Sequence, residues 1–487
     1  MVRMEIVAST GSRRLYRLVG VALVAVVVSH GISLGGGFPL PPAEVTHYDI
    51  TLEIDFAGGT FRGTQTTDYL NTTGSQLEEV FFRLYPNAPV IYGNGFLNVD
   101  AAEVDGKTVE TRTFVDNTAL WVPLVSPLEQ GERISLKMDF SGQTATWEED
   151  SRTSAGYGIY ATSSRAMVLA SFYPILAVYD EEGWNIDPIA EIGDAVFSEV
   201  ASYTVNVTAD PRLRILTSGR GADQWEEDGR RTYRFSGQGI RDFVIVVGDG
   251  HLERSEMVDG VLLRTNFLPQ HGRAGEIAMV RAKMAIDLYQ RCFGPFVLHE
   301  LDLVEVPLVR AAGVEYPGLL LIAEDYCEHP VDTFFDIIVA HEVAHQWWYA
   351  VVGSDVIEEP WLDEALATYS SALFLEEAYG TVVAQETIGE WQTSYQSARA
   401  RYPELSVASS LHAFPDSASY SSFVYSGGAV FLDEVRRRVG DAVFFDALAD
   451  YYRDLAFQIG RGSDLLACFV EACACDLSEI FVEHSVP

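Results

Sequence analysis

Over residues 48–56 apolar and polar positions alternate: Tyr48, Ile50, Leu52, Ile54 and Phe56 fall on one side, Asp49, Thr51, Glu53 and Asp55 on the other. A period of two is that of a strand with one buried face. The alternation returns in "ISLKMDF", with Ile134, Leu136, Met138 and Phe140, and in "YTVNVTA", with Tyr203, Val205 and Val207. Turn-rich stretches lie between, so roughly the first 200 residues read as all-β, with "DFVIVVG", ending at Gly248, as the last strand. From about residue 275 the period moves towards 3.6 and helices are expected to dominate, interrupted by the strand-like "LDLVEVPLV" of residues 301–309. The boundary falls near residue 250. Thr333 followed by Asp336 has the form of a capping box and predicts a helix start. Phe431, Leu432, Val435 and Val439 predict another helix, stopped by Gly440.

A chain of 487 residues is too long for one ordinary core, and 48% hydrophobic against 21% charged residues is the balance of a folded protein of two or three domains. The formal charge of −37 argues against nucleic acid or an anionic membrane surface as partner, because phosphate would be repelled. Five cysteines, an odd number, define no disulfide framework, although a pair among Cys468, Cys473 and Cys475 remains open. Residues 13–34 place Arg13, Arg14 and Arg17 ahead of a short apolar run. That is the form of an export signal or a retained N-terminal anchor, so an extracytoplasmic protein, secreted or membrane-anchored, is expected, joined through the flexible "GGGFPLPP".

One stretch carries chemistry. In "IIVAHEVAHQWW" two histidines stand four apart inside an apolar run. On a helix His341 and His345 share a face, about 6 Å apart at the backbone, so both imidazoles can meet one ion. Glu342 is rotated about 100° from His341, which puts it beside the metal as a base rather than onto it. A polar triplet in an apolar helix is costly unless something satisfies it. A catalytic zinc site needs a third protein ligand and an open position. After eighteen further residues comes Glu364, within a second helical pattern in "EEPWLDEALATY". A loop over residues 353–359 lets that helix return beside the first and deliver Glu364, with Asp363 placed to accept a hydrogen bond from a ligand histidine.

Together these segments resemble the membrane alanyl aminopeptidase family of gluzincin zinc aminopeptidases. "GVEYPG" at 313–318 is similar to that family's exopeptidase motif, and "FFRLYPNA" and "YPILAVYDEEGW" are similar to its N-terminal domain. The resemblance implies a multidomain α+β fold: an N-terminal segment (1–43), an antiparallel β-sandwich-like domain (44–250) and a mainly helical thermolysin-like zinc peptidase domain (251–487). It implies a short form, without the large helical C-terminal domain of many relatives. It further implies one Zn2+ per chain on His341, His345 and Glu364, and Glu342 as acid/base. Glu315, with Gly313 beside it, would bind the substrate's free α-amine, and Tyr425, in "YSGGA", would donate a hydrogen bond to the developing oxyanion. The expected partners are peptides with a free N-terminus, cleaved through a metal-activated water.

Departures from the family pattern bear on specificity: Ala312, Val314 and Tyr316 stand at motif positions usually held by glycine, methionine and asparagine. Ala365 follows the glutamate ligand where glycine is common, and Gly427 stands where lysine is common. No counterpart of the N-terminal-domain residue that often supplements amine binding is visible around residues 171–173. A zinc endopeptidase on the same fold would not require Glu315, and a catalytically silent, membrane-tethered peptide-binding module is the reading from another class.

Overall fold

The structure, a computed structural model, describes residues 38–148 and 154–486. The arginine-flanked export or anchor segment lies outside the described residues.

The alternation at residues 48–56 becomes the strand His47–Asp55, which turns Tyr48, Ile50, Leu52 and Ile54 inward. It pairs antiparallel with Thr60–Leu70, and that strand pairs with Arg133–Gln143, whose Ile134, Leu136, Met138 and Phe140 are buried in turn. On its other flank it pairs in parallel with Ala201–Ala209, Ile50 opposite Val205. A parallel neighbour needs a long crossover, and the intervening chain supplies one, so this eight-stranded sheet is mixed rather than purely antiparallel. Two smaller sheets, of five and four strands, contribute buried faces to the same core, giving a sandwich-like β domain.

A separate five-stranded sheet follows, in the spatial order Leu252–Val258, Val261–Phe267, Glu300–Val306, Leu319–Ala323, Gly313–Tyr316. The expectation of a mainly helical segment missed most of it. Leu252–Val258 is exposed along nearly its whole length, so it carries no alternation to detect, whereas Glu300–Val306 is covered on both faces, its buried Asp302 and Glu305 being satisfied by Arg264 and by the Leu268 N–H. The last strand turns back through Gly318, whose φ of +72° suits glycine, and lies antiparallel at the edge. Glu315 rides on that edge strand.

The longer helices are α1 (Gly272–Phe293), α2 (Thr333–Ala344), α3 (Pro360–Tyr379), α4 (Thr381–Arg401), α5 (Gly428–Val439), α6 (Asp441–Asp454) and α7 (Gly462–Cys473). Helix α2 begins at Thr333, but the capping box does not form: Asp332 is the N-cap residue and contributes no side-chain bond. Asp336 is buried and accepts instead from Arg281 Nε at 2.7 Å and from the Tyr379 hydroxyl, since a guanidinium satisfies a buried carboxylate better than backbone amides alone. Helix α5 stops at Gly440, φ +83°, as the pattern predicts. Cys473 and Cys475 are joined as a disulfide, leaving Cys468 free.

Two contacts lock the helices that carry the motif. The Tyr289 hydroxyl of α1 lies 3.0 Å from both the Ala340 and the Ser370 carbonyl oxygens, pinning α2 to α3. At the crossing of α3 and α5, a Cβ added at Gly428 would collide with the Cβ of Ala365. Ala365 is therefore accommodated by glycine on the facing helix. Arg241, from the end of the β domain, is buried and bridges to the helical part by donating to the carbonyls of Tyr349 (2.6 Å), Val351 (3.1 Å) and Gln458 (2.6 Å).

Candidate metal and peptide site

His341 lies in the last turn of α2, and His345, the C-cap residue, keeps helical backbone angles (φ −61°, ψ −12°), so the two imidazoles leave the same face. Helix α3 starts at Pro360, whose missing N–H costs nothing at a first helical position. One turn on, it presents Asp363 and Glu364. His341 Nε2 and His345 Nε2 are 3.0 Å apart, and Glu364 Oε2 lies 3.2 Å from the first and 3.7 Å from the second.

The outer hydrogen bonds fix which nitrogen faces the cluster. His345 Nδ1 lies 2.6 Å from Asp363 Oδ1 and 3.0 Å from the Trp348 carbonyl oxygen. Both partners are acceptors, so Nδ1 carries the proton and Nε2 presents its lone pair. Lone pairs and a carboxylate oxygen then converge within a buried site, an arrangement that fits a cation. Two imidazoles and one carboxylate are the donor set of a catalytic zinc site.

Glu342 is buried beside this cluster, and its Oε2 has no hydrogen-bond partner among the described residues. Burial pushes its carboxyl up to about 8, with the His345 imidazole opposing. Gly313 explains how the carboxyl fits: a Cβ there would come within 2.6 Å of Glu342 Cγ. Gly313 thus lies against the glutamate, and the residue at this point of the edge strand must be small. Tyr425 sits in a π-helical turn, Ser421–Gly427, and its hydroxyl donates to Glu364 Oε1 while its ring stacks on His341 at 5.9 Å. Such turns recur at functional sites because they re-aim single side chains.

Glu315 is brought to the same place, 6% exposed. Its carboxylate, that of Asp194 and that of Glu364 offer oxygens within 4.8 Å of one another. Burial, and after it the charge of Asp194, holds Glu315 well above the usual carboxylate range. Asp194 is a residue that sequence reasoning missed. It lies in the irregular segment before Ala201–Ala209, in "EIGDAV", with neither periodicity nor a motif to mark it. Only the packing of the β domain against the edge strand brings it to the metal site. An apolar cavity continues from Glu342 and Tyr425 along α2 and α3, lined by Phe334, Ile337, Ile338 and Thr368.

A β-rich domain followed by a helical part with a histidine pair, an adjacent glutamate and a carboxylate from the next helix has the arrangement of a two-domain metallopeptidase fold. The Peptidase family M1 domain model matches residues 277–484 of the chain. It is 26% identical over 228 residues to a probable aminopeptidase 1 of Sulfurisphaera tokodaii, covering 44% of this chain and 28% of that one. It is 24% identical over 463 residues to aminopeptidase 2 of Candida albicans, covering 89% of this chain and 46% of that one. The chain therefore spans less than half the length of these curated relatives. Among solved structures, an M1 zinc metallopeptidase from Deinococcus radiodurans superposes with a TM-score of 0.65 at 20% identity, covering 91% of this chain and 93% of that one, a likeness of fold.

Proposed function

We propose that this protein is a zinc-dependent aminopeptidase that removes the N-terminal residue of peptides. The observation that carries the reading is a pair of carboxylates, the buried Glu315 and the half-buried Asp194, set beside the three metal-ligand candidates. A carboxylate beside a hydrolytic metal centre, at the reach of one amino-acid residue, is suited to a free α-ammonium through a charge-assisted hydrogen bond. It fixes the first peptide bond, not an internal one, over the metal.

His341, His345 and Glu364 would hold a zinc ion, which would supply Lewis acidity towards the carbonyl oxygen and lower the pKa of a water. Glu342 takes the proton of the attacking water at its unpartnered Oε2 and delivers it to the departing amine. Tyr425, a neutral donor whose hydroxyl rests on Glu364, turns to the oxygen on which charge develops. Asp363 holds His345 in the tautomer that leaves Nε2 free to ligate.

The test compares aminoacyl fluorogenic amides with their N-acetylated forms, with and without chelator. Chelator-sensitive release from the free amines alone is expected, and equal cleavage of acetylated substrates would favour the endopeptidase instead. Zinc binding with no hydrolysis of any free-amine substrate would point to the silent binding module. Tyr425→Phe is expected to lower kcat by about 10²–10³ while zinc content and KM change little; unchanged kcat would remove Tyr425 from the reaction.

A further inference from the structure

Behind Glu315, on the side away from the metal ligands, a second cavity opens between the β domain and the helical part. Three carboxylates line it, Glu315, Asp194 and Asp242, and the phenol rings of Tyr92, Tyr316 and Tyr349 form much of its wall. No cationic side chain is among the described residues that line it. Asp242 is 2% exposed; its Oδ2 accepts from the Tyr349 hydroxyl at 2.8 Å, and its Oδ1 has no partner among the described residues. A buried carboxylate oxygen left without a donor is costly. The neighbouring guanidinium of Arg241 favours the Asp242 carboxylate by its charge, but its hydrogen bonds go to the carbonyls of Ser198, Tyr349, Val351 and Gln458.

We propose that this cavity receives the side chain of the peptide's first residue and selects lysine or arginine there, with Asp242 as the carboxylate that reads the charge. The proposal rests on the aminopeptidase reading, which places the α-ammonium on Glu315 and Asp194 at the cavity's entrance. From that anchor the first residue's carbonyl points to the metal ligands, and the acid-lined cavity lies on the anchor's other side. Lysine and arginine heads carry donors and no acceptors, so they match an orphaned acceptor among carboxylates. Aromatic faces around a desolvated cation add cation–π attraction. Burial pushes the Asp242 carboxyl up to about 7, and a cation entering the cavity favours its charged form. Tyr349 is set for this contact by an unusual backbone, φ +134°, with its carbonyl held by Arg241 Nε.

Two measurements on the zinc-loaded full chain test it. In the first, kcat/KM is compared for arginyl, lysyl, leucyl, alanyl and glutamyl amides in wild type and in Asp242→Asn, which keeps an oxygen for the Tyr349 hydroxyl. The wild type is expected to prefer the basic residues by about tenfold or more, and the variant to lower the ratio of arginyl to alanyl rate by a similar factor. A wild type without that preference, or a ratio unchanged by the substitution, overturns the proposal. In the second, calorimetric binding of arginine amide and leucine amide to Glu342→Gln reads the pocket without turnover. If no free-amine substrate is hydrolysed, the aminopeptidase reading fails, and this measurement still decides the pocket. Tighter arginine amide binding that Asp242→Asn abolishes supports it; equal binding overturns it.

Discussion

Glu342 and Glu364 are both buried acids of the same small site, yet their surroundings divide their roles. Glu364 is engaged by His341 and by the Tyr425 hydroxyl, whereas Glu342 keeps an oxygen without a partner. Glu342→Gln should therefore retain stoichiometric zinc and lose turnover by about 10²–10⁴, while Glu364→Ala should lose the metal itself. Metal analysis of both purified variants checks this, and equal zinc loss in the two would collapse the distinction. Gly313 is the subtler residue. Because a Cβ there runs into Glu342, Gly313→Ala should displace the carboxyl and lower kcat by about tenfold or more with little change in thermal stability. Steady-state kinetics beside a melting curve measures both effects, and an unaltered kcat would show that the strand yields instead.

Between the helices, the site depends on α2 and α3 keeping their register to within a fraction of a turn. Tyr289 supplies a single hydroxyl to two carbonyls, one just ahead of His341 and one on α3 beyond Glu364. Tyr289→Phe leaves those buried oxygens short of a donor, so a loss of about 1–2 kcal/mol is expected, together with weaker zinc binding. Chemical denaturation and a competitive zinc titration would separate the two; a stability loss with unaltered zinc affinity would mean the helices hold register without this bond. The helices also show where sequence patterning succeeds and fails. The end of α5 at Gly440 is local chemistry and legible. The false capping box at Thr333 is not, because Asp336 finds Arg281 and Tyr379 in other helices, partners that no local pattern reveals. Leu252–Val258 was equally hidden, since an exposed edge strand needs no apolar alternation.

Across the whole molecule, the packing of the β domain on the helical part concentrates acids in a buried seam. Asp242 lies in it, pushed by burial from the ordinary 3.8 to about 7. Below about pH 4 both folded and unfolded chains keep that proton; between about pH 4 and 7 the unfolded chain releases it while the folded one holds it. The folded state therefore loses relative stability as pH rises through this window, by up to about 4 kcal/mol for a shift of this size. Asp242→Asn removes the effect, so the gap in unfolding free energy should move in the variant's favour between pH 4 and 7.5. Urea denaturation at several pH values measures it, and a gap that stays constant would contradict the raised carboxyl.

The sequence by itself determined the parts whose signal is local. Alternation set the strands of the β domain, helical spacing set His341 and His345 on one face, and the following helix made Glu364 available. Tertiary structure alone decided what those parts face. Asp194, in an irregular segment, and Asp242, at the head of the "DFVIVVG" stretch, come from the β side of the seam, and they meet Glu315 only when an edge strand of the second sheet packs there. Metal-ligand spacing is written along one helix because 3.6 residues make a turn. The acid-lined cavity is assembled from residues far apart in the chain, and their proximity is set by long-range packing that no spacing encodes.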